Sequence, residues 1–168
     1  IQNTSALEAN LHSGTIDMVA GELGLQLDHA ISFAKRHGDK FTIVYKPGLQ
    51  YEHIDLNLDN PILADLRVRQ ALLYGIDREE MNQRIFAGQQ PQADGPVSPL
   101  DRVASSELKR YSYQPQRAAQ LLEEAGWQMT DSGIRSNAQG QPLRLEIMST
   151  AGNKTRELLQ QVIQGQLL

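Results

Sequence analysis

The sequence has no cysteine, a single tryptophan, and aromatic residues at only 5% of positions. The missing thiol excludes a disulfide framework, a thiolate metal site and a cysteine nucleophile, and it leaves the compartment open. Long apolar runs are missing as well. No stretch approaches the length of a membrane-spanning helix, and no signal-peptide pattern stands at the start. Basic charge is in deficit: 16 Lys and Arg against 20 Asp and Glu leave a net charge of −4. That balance gives no reason to expect nucleic acid or an anionic membrane surface as a partner.

Recognisable catalytic constellations are also missing. The four histidines, His12, His29, His37 and His53, show neither i, i+4 spacing nor a neighbouring cluster of carboxylates, so they point to no metal site. Asp55-x-Asn57-x-Asp59 imitates the opening of a calcium loop. Its sixth position is Asn60 rather than Gly and its twelfth is Leu66 rather than Glu, so a strand end running into a turn explains it better. There is no Gly-x-Ser-x-Gly elbow, phosphate loop or dinucleotide fingerprint. Ser105-Ser106 lacks a nearby base, and the scattered carboxylates form no acid/base pair. Tyr111, Tyr113 and Trp127 surround an amphipathic helix and read as core rather than as a base-stacking platform. The expectation is a protein that is not an enzyme and carries no cofactor.

What is present is a foldable chain of 168 residues, 40% hydrophobic and 21% charged, within the range of one ordinary domain. Its most ordered stretch is Asp65 to Glu80. Val68, Ala71, Leu72, Gly75 and Ile76 recur at helical spacing, with Asp65 placed as N-cap. Asp77 opens a second helix, where Glu80 completes an acidic capping box. Met81, Ile85 and Phe86 point inward, and Gly88 ends the helix. Arg67 and Arg69 flank the first apolar stripe and read as structural ion-pairing residues.

Earlier in the chain, Ser5 to Glu8 is a capping-box pattern opening a short helix that ends at Gly14. Ile16 to Ala20 reads as a buried strand. A helix carrying Leu25, Leu27, Ile31 and Phe33 closes at His37-Gly38. Phe41 to Tyr45 is a β-rich strand, broken by Pro47-Gly48. Tyr51 to Leu58 is extended, with Ile54, Leu56 and Leu58 on one face. Residues 89–101 form a loop rich in Pro, Gly and Gln. Pro115 suits the first position of a helix that ends at Gly126. A hairpin follows, with Gly133 to Arg135, a turn at Asn137 to Gly140, and the alternating run Leu143 to Met148. The last helix runs through Leu158, Leu159, Val162, Ile163 and Leu167 without a stop signal. With no initiator Met at Ile1 and this uncapped end, the chain reads as a section of a longer protein.

Three segments carry a family resemblance. Asp59-Asn-Pro-Ile-Leu-Ala-Asp-Leu-Arg-Val-Arg-Gln-Ala-Leu-Leu-Tyr-Gly-Ile-Asp-Arg78 resembles the signature of extracellular solute-binding proteins of peptide and nickel ABC transporters. Ala9-Asn-Leu-His-Ser-Gly-Thr-Ile-Asp17 resembles that family's Ser-Gly and acidic motif. Tyr113-Gln-Pro-Gln-Arg-Ala-Ala-Gln-Leu-Leu-Glu-Glu-Ala-Gly-Trp127 resembles its Pro-x-x-Ala-x-x-Leu-Leu-x-x-Ala-Gly-aromatic helix. The family usually places Asp before that proline; Gln114 stands here.

The resemblance implies a mixed α/β (α+β) fold that forms an incomplete part of a bilobal periplasmic-binding architecture. Residues 1–50 would belong to the first lobe, 51–58 to a strand crossing between lobes, and 59–168 to the second. It implies the solute-binding component of an ABC importer, taking a peptide first, or a nickel complex or other small solute. Permease subunits would be its partners, in the periplasm or at the extracellular face. Membrane association would come only through the transporter or a lipid anchor outside this section. Tyr51, His53 and Asn57 on the crossing strand, with Gly95, Val97 and Ser98 on the Gly-x-hydrophobic-x-Pro loop, would face the ligand. The acidic residue that grips a peptide's amino terminus lies beyond these motifs. A solute-sensing module of a transcription regulator is the alternative.

Overall fold

The computed structural model describes residues 3–19 and 24–168. The chain divides into two compact units, Ile1–Lys46 and Pro47–Leu168.

In the first unit α1 spans Thr4–His12 and α2 spans Leu27–His37. Asn3, not Ser5, caps α1: its side chain accepts from the Ala6 amide at 2.9 Å. The Glu8 carboxylate, expected to complete a box, instead meets Arg36 of α2 at 3.1 Å. Asp28 in the first turn and Lys35, Arg36 and His37 in the last complement the dipole of α2. Phe33 is buried, with its ring 5.2 Å from Phe41 and 5.0 Å from His37. His12, at the end of α1, closes on the same cluster, 4.3 Å from the His37 ring.

The second unit is built around α4, Leu66–Gly75. A single turn, α3 (Pro61–Ala64), precedes it, capped by the Asn60 side chain. Asp65 caps α4 by accepting from the Arg67 amide at 2.8 Å. Val68 and Ala71 are buried and Gly75 with them, as the stripe requires. Against this face lies α6, Pro115–Glu124, with Ala118 and Leu121 buried and Tyr74 and Leu122 packed at the edge. Small residues let the two axes approach: a Cβ on Gly75 would stand 3.8 Å from that of Ala118 and 3.1 Å from Leu167 Cδ2. That leucine ends α7, Lys154–Leu167.

A tight corner turns α4 into α5, Arg78–Phe86. Asp77 accepts from the Glu80 amide at 2.8 Å. The returning half of the expected box is not made, because Gln166 of α7 takes the Asp77 amide at 3.0 Å. Ala87 adopts a left-handed conformation at φ 50°, followed by Gly88 at φ 74°, which ends α5. Gln114 precedes α6 without a side-chain capping bond, and its amide donates to the Tyr74 carbonyl at 2.8 Å.

Strand expectations fare less well. Among the described residues the one ladder joins β1 (Gln128–Met129) to β2 (Arg135–Ser136), antiparallel. A single further bridge, Ser136 with Pro142, follows the turn at Asn137 to Gly140. Ile16 to Val19, Phe41 to Tyr45, Tyr51 to Asn57 and Arg144 to Met148 pair with no strand, and Leu143 adds one amide bond to the Arg135 carbonyl of β2 at 2.7 Å; Ala20 lies outside the described residues. Alternation reports that a segment has two unlike faces. It does not supply the neighbouring backbone that a ladder needs.

Candidate ligand-binding site

All six residues singled out from the sequence lie in the second unit. Tyr51 and His53 stack on each other, ring centroids 4.7 Å apart and 13° from parallel. The His53 Nε2 stands 3.3 Å from Asp55 Oδ2. Glu52, between Tyr51 and His53 in sequence, accepts from Arg156 Nε and Nη2 at 3.0 and 2.9 Å. This fork, from the first turn of α7, ties the extended segment to the helical body, and Glu52 holds the Arg156 guanidinium above its usual pKa. Asn57 is spent locally: its Oδ1 accepts from the Asp59 amide at 3.0 Å as the chain turns toward α3.

The other three residues sit on the loop after α5. A Cβ on Gly95 would meet Leu108 Cδ1 at 3.0 Å, so glycine permits a close approach between the two limbs of that loop. Val97 is exposed, and Ser98 Oγ accepts from the Leu100 amide at 3.2 Å. Among the described residues no hydrogen bond joins the 51–57 segment to the 95–98 loop.

Sequence reasoning missed the ion cluster at the base of this loop. Arg78, the first residue of α5, donates from Nη1 to the Ala93 carbonyl at 2.9 Å and from Nη2 to the Tyr111 carbonyl at 3.0 Å. Asp94 stands 3.5 Å from Arg78 and 3.1 Å from Arg110 Nε. Beside them opens a cleft of about 520 Å³ lined in part by Glu79, Arg110, Tyr111 and Tyr113. Its size falls in the range of small-molecule sites. None of the six expected residues lines it. A helix-initial arginine gives no local signal of such a role, since its partners come from loops on two sides.

Among the described residues no three of His, Cys, Asp and Glu converge to hold a metal ion, and no helix is long and apolar enough to cross a membrane.

A helical body carrying an extended segment and a long loop defines a class. Superposed on solved structures, it is similar to a portion of solute-binding proteins. An oligopeptide-binding protein from Thermus thermophilus, complexed with a pentapeptide, matches at TM-score 0.70 and 32% identity over 99% of this chain and 30% of that one. The chain matches the bacterial extracellular solute-binding proteins, family 5 (middle), over residues 1–168, and it belongs to that family. Its fold is thus a mixed helix-and-strand part of the bilobal solute-binding architecture. The oligopeptide-binding protein AppA of Bacillus subtilis is 32% identical over 127 residues, 74% of this chain and 23% of AppA. The nickel-binding periplasmic protein of Escherichia coli is 29% identical over 156 residues, 92% of this chain and 29% of that protein. The chain therefore spans less than a third of the length of each of these three relatives.

Proposed function

We propose that this chain serves in the solute-binding component of an ABC importer, capturing peptides or a related small solute and delivering them to the membrane permease. The family match across residues 1–168 carries the reading. Similarity to oligopeptide-binding proteins supports peptides as the first ligand class, and the nickel-binding relative supports small complexes as the second. Such a protein works in the periplasm or at the extracellular face, and its role is capture and release rather than catalysis.

In this reading residues 1–50 belong to one lobe, 51–58 cross between lobes, and 59–168 belong to the other. Tyr51, His53, Asn57, Gly95, Val97 and Ser98 face the ligand. The stacked Tyr51–His53 pair offers a flat apolar wall with a polar edge, and the 95–98 loop offers backbone groups free of regular secondary structure. Titration calorimetry of the whole protein, with a pool of random tri- and pentapeptides and separately with nickel–histidine, tests the reading. Micromolar or tighter binding of the peptide pool, weakened by Tyr51→Ala, is the expected result. No heat with either probe would sink it.

A further inference from the structure

The loop from Gly95 to Lys109 has little of its own to hold it in shape. Its interior hydrogen bonds are local among the described residues: Ser98 to Leu100 and Asp101, Asp101 to Val103 and Ala104, and Ser105 to Glu107. Each spans two or three positions and fixes a bend, not the course of the loop. Apolar burial does not do so either, since Leu100 and Val103 are 58% and 76% exposed. A segment so built opens at little free-energy cost unless something closes its ends.

One side chain reaches both of its ends. Arg78 binds a carbonyl on each limb of the neck, Ala93 going in and Tyr111 coming out, with one guanidinium nitrogen for each. Asp94 on the ingoing limb meets both Arg78 and Arg110, the latter on the outgoing limb, and its side chain is only 19% exposed. The near contact of Gly95 with Leu108 continues the closure one step into the loop. The arginine itself is held because it begins α5, whose corner is fixed by Asp77 and Gln166. We infer that Arg78 is a positioning residue: it pins the neck of the 95–109 loop and so sets the geometry in which Gly95, Val97 and Ser98 are presented to ligand. This rests on the reading of those three as ligand-facing.

A planar fork is what the task needs. The two carbonyls lie on different limbs, and a guanidinium reaches both while staying charged beside Asp94. The amide of Gln reaches one at most and lacks the charge.

Hydrogen exchange on the ligand-free whole protein, paired with calorimetry using the random tri- and pentapeptide pool, separates the two claims. In Arg78→Gln, amides of 95–110 should exchange faster by about tenfold or more, with the α4–α6 body unchanged, as expected for losing a charge-assisted pair of hydrogen bonds. Affinity for the pool should fall by a similar factor. Asp94→Asn, which keeps the arginine, should show the same pattern to a smaller extent and guards against misfolding of the first variant. Arg84→Ala, removing an exposed arginine of the same helix, should change neither. Unchanged exchange of 95–110 in both Arg78→Gln and Asp94→Asn overturns the inference. Faster exchange with unchanged affinity upholds the pin and refutes the ligand-facing reading of the loop.

Discussion

Two arginines two positions apart on a helix point about 200° away from each other, so they cannot serve one group. Arg67 turns to both oxygens of Asp65 and to the Glu124 carbonyl at the end of α6. Arg69 turns the other way and caps the Leu63 and Ala64 carbonyls of α3 at 2.7 and 2.9 Å. Both spend their donors on the body itself. In the whole protein Arg69→Ala should lower stability by about 1–3 kcal/mol, chiefly the cost of leaving the partly buried Leu63 carbonyl unpaired. Peptide affinity should change little; urea unfolding and calorimetry on one preparation check both, and a large affinity loss at unchanged stability would reassign the residue to the cleft. Asp65 combines a cap with an ion pair. Its bonds to the Arg67 side chain hold the carboxyl below its ordinary value of 3.8. The folded state thus binds the proton less readily than the unfolded state. The stability from this pair is complete above that pH and is lost as pH falls through the lowered pKa. Asp65→Asn keeps a good cap and should cost under about 1 kcal/mol, whereas Asp65→Ala loses both and should cost about 1–2 kcal/mol. Urea denaturation at pH 7 and pH 3 should show the pH difference narrowed in both variants.

At the scale of elements, α1 and α2 meet through their last residues. His12 and His37 sit edge to face at 4.3 Å, against Phe33 and Phe41. Desolvation, then the neighbouring His12 and Arg36, push the His37 imidazole below its ordinary 6.5; Lys40 adds to this, and Glu8 opposes it. A lowered histidine pKa means that the unfolded chain takes the proton first, so stability is full above pH 6.5 and declines as pH falls below it. The protection of amides in α1 and α2, taken relative to their intrinsic exchange rate at each pH, should therefore fall between pH 7 and pH 5. His37→Leu, which keeps an apolar body without a titrating group, should flatten that dependence. Protection that stays constant across the range in the native protein would show that neither desolvation nor its neighbours disfavour the charged His37.

At the scale of the molecule, a ligand captured between lobes shares its contacts between two walls, and one wall leaves much of its surface wet. The 168-residue chain by itself should bind the random di- and tripeptide pool weakly or not at all, in contrast to the whole protein. Calorimetry on the isolated chain is the measurement, and submicromolar binding would show that these 168 residues hold a complete site.

Helices were legible in the sequence because their signals are local. The stripe from Val68 to Ile76, the caps at Asp65 and Asp77, and the proline opening α6 all act within a turn or two, and each appears where its spacing places it. Strands were not, because Phe41 to Tyr45 and Leu143 to Met148 show the right alternation while a ladder depends on backbone elsewhere. The box at Asp77 failed by half and the one at Ser5 altogether, because Asn3 took the cap of α1 while Glu8 and the Asp77 amide met Arg36 and Gln166, partners distant in sequence. The family motifs named the loop at 95–98. Only the tertiary structure brought Ala93, Asp94 and Tyr111 around Arg78, since no local pattern in the chain records which carbonyls a guanidinium will meet.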